Sequence, residues 1–202
     1  MSVLIAIDQG TTSTRTVAYD KDLNIVYSEQ QEYSLQYPQD GWVEIDPLEL
    51  MQSVYGTLDP VLNSCPQITG VGITNQRETT LVWDADSGEP IYNAIVWQDR
   101  RTADECLRLK EAGFEKSIKT KTGLLLDPYF SATKISWILD NVQGARAKAD
   151  KGKLRFGTVD TFLLWQLSEG SIFKTDVTNA SRTNIYNIHA KEWDDDLLKI
   201  FN

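Results

Sequence analysis

Hydrophobic and polar positions follow two different periods along the chain, and the change of period predicts a mixed α/β fold. Strand-like apolar runs cover residues 3–8, 14–20 and 24–33, with short polar turns between them. Connections this short predict an antiparallel meander at the start of the chain. We therefore expect an α/β protein whose mixed sheet is flanked by helices and does not open with a strand–helix–strand unit.

Helical spacing begins after the meander, where Asp46 and Pro47 predict the cap and first turn of a helix that runs to about residue 62. A strand over residues 68–74 follows. The remaining predicted elements are a hairpin joining 80–83 to 91–97 through a turn at 84–88, helices at 102–109 and 131–139, an exposed connection or helix end at 144–153, and a strand at 156–160 leading into a helix through 167. No internal repeat or linker divides the chain, so we expect one domain over residues 1–202.

Composition limits the classes of function. With 202 residues, 41% of them hydrophobic, the chain can bury a sizeable core. Its net charge of −9 disfavours nucleic acid and anionic membranes as partners. The two cysteines and the single His189 suit neither a disulfide framework nor a multi-histidine metal site. No signal peptide or membrane span is recognisable, so we expect a cytoplasmic protein.

The octet DQGTTSTR at residues 8–15 connects the first two predicted strands and suits phosphate binding. Gly10 would permit a tight approach and unusual backbone dihedrals, so that backbone N–H groups face an anion. Asp8 would meet a magnesium ion or its waters, and Arg15 would neutralise a terminal phosphoryl group. Further donors are the hydroxyls of Thr11, Thr12, Ser13 and Thr14. Taken alone, the octet is equally consistent with an ordinary turn between strands.

Six motifs, in order along the chain, resolve this ambiguity. They are DQGTTSTR at 8, GITNQRETT at 72, NAIVWQDRR at 93, DPYFSATK at 127, GTVDTFLLWQL at 157 and TDVTNASRT at 175. Together they resemble the glycerol kinases of the FGGY carbohydrate kinase family, which has an actin-like ATPase (ribonuclease H-like) fold. The resemblance covers essentially the whole chain. The motifs NQRETT and WQDRR resemble those of the glycerol kinases more than those of the pentulose kinases.

The resemblance implies a magnesium-dependent transfer of the ATP γ-phosphoryl group to glycerol, giving sn-glycerol 3-phosphate. By this resemblance, the residues beside the nucleotide phosphates are Thr11, Thr12, Ser13 and Arg15, with Asp8 at the Mg²⁺ ion, directly or through water. The residues implied to bind the polyol are Arg77, Glu78 and Tyr129, with Trp97 against its carbon chain. The resemblance also implies that the full-length protein is a homo-oligomer, a dimer or a tetramer.

The residues implied to bind the polyol also have a physical rationale. Arg77 and Glu78 follow a predicted strand, where open α/β sheets place ligands, and together they offer donors and acceptors for vicinal hydroxyls. A surface ion pair of little energetic value is the alternative. Trp97 and Tyr129 could cover and hydrogen-bond a triol, although large aromatic residues after a strand are more often part of the core.

Other polar residues are expected to be structural. We predict a solvated helix cap and first turn at residues 99–101, and an N-cap at Asp160 in preference to a buried acid facing the cleft. Residues 179–182 are expected to form a structured loop on the substrate side, without an assigned chemical role. An acidic helix start is expected at 192–194.

Glycerol kinases are longer than 202 residues, and their second domain binds the nucleotide and closes over the first. The family's general-base aspartate lies in a later motif beginning Gly-Asp-Gln, which does not occur in these 202 residues. We therefore expect the chain to end within the first domain and to be inactive by itself. The alternatives are another FGGY sugar or polyol kinase, or a non-catalytic actin-like nucleotide-binding module.

Overall fold

A computed structural model describes residues 2–202, and the chain divides into two compact units. The first unit comprises residues 2–36 and Ile45–Gln76. The second unit comprises Tyr37–Glu44 and Arg77–Asn202. The strands are β1 (Val3–Gln9), β2 (Ser13–Tyr19), β3 (Ile25–Glu32), β4 (Glu44–Ile45), β5 (Ile68–Asn75), β6 (Thr80–Asp84), β7 (Ala94–Ile95), β8 (Leu154–Thr158), β9 (Tyr186–Asn187) and β10 (Glu192–Trp193). The helices are α1 (Pro47–Ser64), α2 (Ala103–Glu111), α3 (Glu115–Thr122), α4 (Ser131–Asn141), α5 (Ala145–Asp150), α6 (Val159–Leu167), α7 (Val177–Ala180) and α8 (Asp195–Phe201).

The first unit contains a four-stranded mixed sheet in the order β3-β2-β1-β5. β1, β2 and β3 are antiparallel neighbours, which confirms the predicted meander. β5 runs parallel to β1, and their register places Asp8 opposite Thr74. The predicted strand at 68–74 is thereby confirmed, and β1 ends beside the end of β5.

Helix α1 packs against β2 and β3 of this sheet. Asp46 caps the helix by accepting a hydrogen bond from the N–H of Leu48 at 2.8 Å, and Pro47 occupies the first turn, as predicted. The buried apolar residues of the helix include Leu50, Val54, Leu58 and Val61. Helical spacing in the sequence therefore identified the face that α1 buries.

In the second unit, β6 lies between β7 and β8 and is antiparallel to both. The predicted hairpin forms around a turn in which the Asp84 carboxylate accepts from the N–H groups of Asp86 and Ser87. Its second strand is shorter than predicted, because only Ala94–Ile95 of residues 91–97 belongs to β7.

Helices surround this second sheet, and two of them depart from the predictions. Helix α3, which was not predicted, ends at Gly123 with a left-handed φ of 74°. Its sequence EKSIKTKT buries only Ile118 and Thr122, so it has little apolar periodicity to detect. The acidic helix start expected at 192–194 was displaced, since Glu192–Trp193 forms β10 and Asp194 caps α8.

Two apolar clusters form the interior of the second unit. One joins α2, α3, α4 and α8 through a set that includes Leu109, Ile118, Leu126, Leu197 and Phe201. The other joins the sheet to α4 through Val82, Ile95 and Ile138. Within residues 2–202, no helix has both the length and the apolar character needed to cross a membrane.

Candidate functional site

The turn between β1 and β2 is tight. The N–H of Gly10 donates to the carbonyl oxygen of Ser13 at 2.9 Å, and a Cβ atom at position 10 would lie 3.2 Å from that same oxygen. Gly10 does not have a positive φ, so the expectation of unusual dihedrals was wrong. Glycine is favoured here because space is limited, not because the backbone is left-handed.

A polar network fixes the carbonyl group of Gly10. The amides of Gln9 and Gln76 donate to this carbonyl at 2.7 and 3.0 Å, and the Tyr33 hydroxyl donates to it as well. Burial raises the pKa of Tyr33 to about 12, so the hydroxyl remains a donor at neutral pH. Because C=O and N–H point in opposite directions across a trans peptide, the N–H of Thr11 is directed away from this network.

The five predicted nucleotide-contacting residues lie together on the first unit, at this turn and the adjoining strand ends. Asp8 and Arg15 are exposed and face one another across the β1–β2 ladder. Arg15 donates to the hydroxyl of Ser28 at 3.2 Å. Thr14 differs from the expectation, because its buried hydroxyl pairs with Ser53 of α1 at 2.6 Å and is committed to the core.

Three of the four predicted polyol-contacting residues lie in one cluster of the second unit. Glu78 is 5% exposed, and its carboxylate accepts from Nε of Arg182 at 2.6 Å. The rings of Trp97 and Tyr129 are 5.5 Å apart. Burial, followed by the negative charge of Glu78, raises the pKa of Tyr129, which places the phenol near the carboxylate. The cluster combines an acceptor, donors and two aromatic faces.

Arg77 is placed differently from the sequence-based expectation. It is exposed, and its guanidinium reaches the carbonyl of Thr178 at 3.5 Å. The ion pair of Glu78 is with Arg182, a residue without an expected chemical role. Arg182 also lies 5.0 Å from the ring of Phe130.

The fold explains why Arg182 was missed. Glu78 and Arg182 are 104 positions apart in the sequence, and no local pattern links them. Arg182 follows the short helix α7, whose N-cap Asp176 accepts from the N–H groups of Thr178 and Asn179. The only available signal was that Arg182 lies in TDVTNASRT, one of the six motifs.

The prediction of a solvated helix cap at residues 99–101 was wrong for two of its three residues. The side chain of Arg101 is 0% exposed and forms ion pairs with Glu44 at 2.7 Å and Asp99 at 2.8 Å. Asp99 also accepts from the N–H of Val43 at 2.6 Å. Arg100 alone is exposed, and the cap position of α2 is Thr102.

The prediction that Asp160 caps a helix was also wrong. Thr158 is the cap residue of α6, and Asp160 lies inside the first turn, 7% exposed. Its carboxylate accepts from the hydroxyls of Thr158 at 2.5 Å and Thr175 at 2.7 Å. Burial raises the pKa of Asp160, and these hydrogen bonds partly oppose that effect. Of the two alternatives considered from the sequence, a helix cap and a buried acid, Asp160 is therefore a buried acid.

A separate cavity of about 590 Å³ lies in the second unit. Its lining includes Phe156, Thr161, Phe173, Ile185 and Trp193. None of the residues predicted to contact the polyol lines it. This cavity is thus distinct from the cluster around Glu78.

The two regions offer different hydrogen-bonding groups. The Glu78 carboxylate only accepts hydrogen bonds and the Arg182 guanidinium only donates them, while Trp97 offers an apolar face. Residues 2–202 contain no group of three or more histidine, cysteine, aspartate or glutamate side chains able to hold a metal ion by themselves. Any Mg²⁺ near Asp8 would take most of its ligands from phosphate and water, which is its usual mode of binding.

The fold is α/β, with a mixed sheet in the first unit and helices flanking the sheets. Residues 3–202 match the N-terminal domain of the FGGY family of carbohydrate kinases, and the chain belongs to this family.

Sequence relatives indicate which members of the family this chain resembles. The chain is 56% identical over 203 residues to the glycerol kinase of Petrotoga mobilis, and 57% identical over 204 residues to that of Alteromonas mediterranea. In both comparisons the match covers 98% of this chain and 41% of the relative. The chain is therefore a homologue of the N-terminal part of glycerol kinases, and it spans about 40% of their length.

Solved structures agree with the observed fold. The crystal structure of Plasmodium falciparum glycerol kinase with ADP superposes with a TM-score of 0.94 at 38% identity, covering 100% of this chain and 41% of that one. The gluconate kinase of Lactobacillus acidophilus superposes with a TM-score of 0.88 at 24% identity, covering 99% of this chain and 39% of that one, and shows the shared fold alone.

Proposed function

We propose that this chain is the polyol-binding and phosphate-binding part of an ATP-dependent glycerol kinase, which transfers the γ-phosphoryl group to glycerol and forms sn-glycerol 3-phosphate. The proposal is supported by two kinds of observation. The relatives from Petrotoga mobilis and Alteromonas mediterranea, both more than 50% identical to this chain, are glycerol kinases. The second unit also gathers an acid, an arginine and two aromatic rings, which are side chains suited to a small triol.

The cluster around Glu78 is the observation that carries the proposal. A carboxylate that is only 5% exposed is costly to bury unless its oxygens are hydrogen-bonded. Arg182 supplies one strong, charge-assisted partner, on Oε1. A carboxylate has room for several donors, so glycerol hydroxyls can occupy the remaining lone pairs while its C–H face packs on Trp97. We assign Tyr129 as a further hydroxyl partner and Arg77 as an outer contact.

The turn between β1 and β2 is assigned to the nucleotide phosphates, through Thr11, Thr12, Ser13 and Arg15. The Plasmodium falciparum relative was crystallised with ADP, which supports a nucleotide for this chain. The donor set at Asp8 fits Mg²⁺, since this ion is commonly held by one or two carboxylates together with substrate phosphates and water. Mg²⁺ would neutralise charge on the transferring phosphoryl group. Asp8 would then orient the ion without contacting phosphate itself.

We further propose that these 202 residues do not suffice for turnover. Phosphoryl transfer depends on alignment and exclusion of water, which a single lobe cannot supply. A general base contributes about 10²- to 10⁴-fold, and the sequence contains no segment resembling the family's Gly-Asp-Gln motif. The whole protein is proposed to act as a cytoplasmic homo-oligomer.

The test compares two proteins in an assay of ADP release. One is the 202-residue chain, and the other is the same chain fused to the part of the Petrotoga mobilis glycerol kinase that it does not cover. We expect the fusion to phosphorylate glycerol in preference to gluconate and xylulose, and the chain alone to release ADP at background rate. Preference for gluconate or xylulose would refute the glycerol assignment, and turnover by the chain alone would refute the requirement for a second lobe.

A further inference from the structure

Lys134, on helix α4, connects two of the segments that present the candidate polyol-binding residues. It is 0% exposed, which is rare for a lysine. Its ammonium nitrogen Nζ donates to the carbonyl oxygen of Tyr129 at 2.9 Å and to that of Glu78 at 3.1 Å. These two segments are otherwise far apart in the sequence, by about 50 positions. A single buried side chain thus ties the backbones of both together.

The surroundings of Lys134 show what keeps it there. Glu78, Asp99 and Asp127 exert favourable charge interactions on it, and Arg101 opposes them. Burial dominates and lowers the pKa of Lys134 to about 7. Both the ammonium and the neutral amine retain at least two N–H donors, so the bridge between the carbonyls survives a change of charge.

We propose that Lys134 is a positioning residue for the polyol. It fixes the spacing between the backbones of Glu78 and Tyr129, so that the carboxylate of Glu78 and the phenol of Tyr129 can contact the same ligand. This inference rests on the proposed function. It assigns to a residue with no ligand contact the task of holding two ligand-contacting groups in register. A displacement of about 1 Å in such groups can lower the rate about 10²-fold, so the residue that sets their spacing can affect the rate of catalysis strongly.

A purely structural role is the alternative, and a matched control separates the two. Lys134→Met keeps a long unbranched side chain of similar volume and removes the donors. Ile138→Ala acts one turn further along the same helix, at a fully buried position that packs with Val82 and Ile95. Both substitutions weaken the anchoring of α4, but only the first removes the bridge.

The kinetic test uses the fusion with the Petrotoga mobilis sequence. Lys134→Met is expected to lower kcat/KM for glycerol by about 10- to 100-fold, mainly through KM for glycerol, and to leave KM for ATP unchanged. Ile138→Ala is expected to lower the thermal midpoint without changing KM for glycerol. An unchanged KM for glycerol in Lys134→Met, or an equal rise in both variants, would overturn the inference while the proposed function stands.

Amide hydrogen exchange on the 202-residue chain provides a second measurement that requires no turnover. The N–H of Tyr129 bonds the Asp127 carboxylate at 2.9 Å, and the N–H of Val142 bonds the Ile138 carbonyl at 3.0 Å. Lys134→Met should reduce protection at Tyr129 more than at Val142, and Ile138→Ala should do the reverse. If Lys134→Met does not fold, Lys134→Gln, which is too short to reach both carbonyls, replaces it in both measurements. Equal loss at the two amides would contradict positioning, whatever the fusion does with glycerol.

Discussion

Two arginine–carboxylate clusters of the second unit use the same chemical groups and differ in how completely they are closed. Arg101 is fully buried between Glu44 and Asp99, and the ring of Trp42 lies 3.9 Å from its guanidinium. Arg182 pairs with Glu78 alone, and its side chain is 25% exposed. The side chains of the first cluster are closed off from solvent, whereas the arginine of the second is partly exposed.

This difference shows how a structural ion cluster can be distinguished from a binding site. In the Arg101 cluster, the two oxygens of Glu44 accept from the Tyr92 hydroxyl and the Asn93 amide in addition to Arg101. The Asp99 carboxylate likewise has backbone and guanidinium donors on both oxygens. Buried polar groups in such a saturated network confer rigidity and have little left for a ligand. A carboxylate with fewer partners, paired with a partly exposed arginine beside an aromatic face, is a better candidate for polyol binding.

Arg101→Met should have the largest effect, because it leaves two buried carboxylates without their cation. Removing one partner of a buried ion pair costs about 3–5 kcal/mol, and we expect a loss of this size in the free energy of unfolding. The measurement is urea denaturation of the 202-residue chain. Arg182→Met is the matched control, with an expected loss of about 1–2 kcal/mol since its pair is partly solvated. Equal losses would contradict the distinction between the clusters.

Glu78→Gln should have a smaller effect, expressed in substrate recognition. The amide of glutamine replaces one acceptor oxygen by a donor and removes the charge, which weakens hydrogen bonds worth about 1.5–3 kcal/mol each, so kcat/KM for glycerol in the fusion should fall about 10- to 100-fold. Glu44→Gln serves as the control. It should destabilise the protein and leave KM for glycerol unchanged, and the opposite pattern would show that the Arg101 cluster binds the substrate.

Asp194→Asn should have the smallest effect on the free energy of unfolding, because it alters an ion pair that lies near the surface. Asp194 caps α8 and forms an ion pair with Lys121 at 2.8 Å. Burial raises the pKa of Asp194, but hydrogen bonds from Lys121 and Asn187 outweigh burial and lower the pKa to about 2. Because the pKa of Asp194 in the folded protein lies below the ordinary aspartate value of 3.8, its charge stabilises the protein above pH 3.8, and this contribution is lost as the pH falls towards 2. Unfolding measured between pH 7 and pH 3 should show the wild-type advantage shrinking with acidity. A difference that does not vary with pH would contradict this account.

Much of the fold could be predicted from the sequence, because local patterns determine those elements. The β1–β3 meander and α1 have clear periodicity and a recognisable cap at Asp46. Helix α3 lacks an apolar stripe, and the strand expected at 91–97 is reduced to Ala94–Ile95 by tertiary context. These failures follow from the dependence of short elements on packing that no local window contains.

The candidate site was predictable only in part. Motifs identified Glu78, Trp97 and Tyr129, and the structure places them in the same unit with short contacts. They did not identify Arg182 or Lys134, whose partners are distant in the sequence. Asp99 and Arg101 were predicted to be solvated, since a run of charged residues is usually exposed. Long-range electrostatic pairing is the information that the sequence pattern lacks.

The most direct test of the account is a crystal structure of the fusion grown with saturating glycerol and vitrified without any other polyol. We expect glycerol between the ring of Trp97 and the carboxylate of Glu78, with at least one hydroxyl within hydrogen-bond distance of Glu78 and with the Arg182 pair retained. Glycerol bound elsewhere in the fusion, or no glycerol at this cluster, would contradict the assignment of the open arginine–carboxylate cluster as the polyol site.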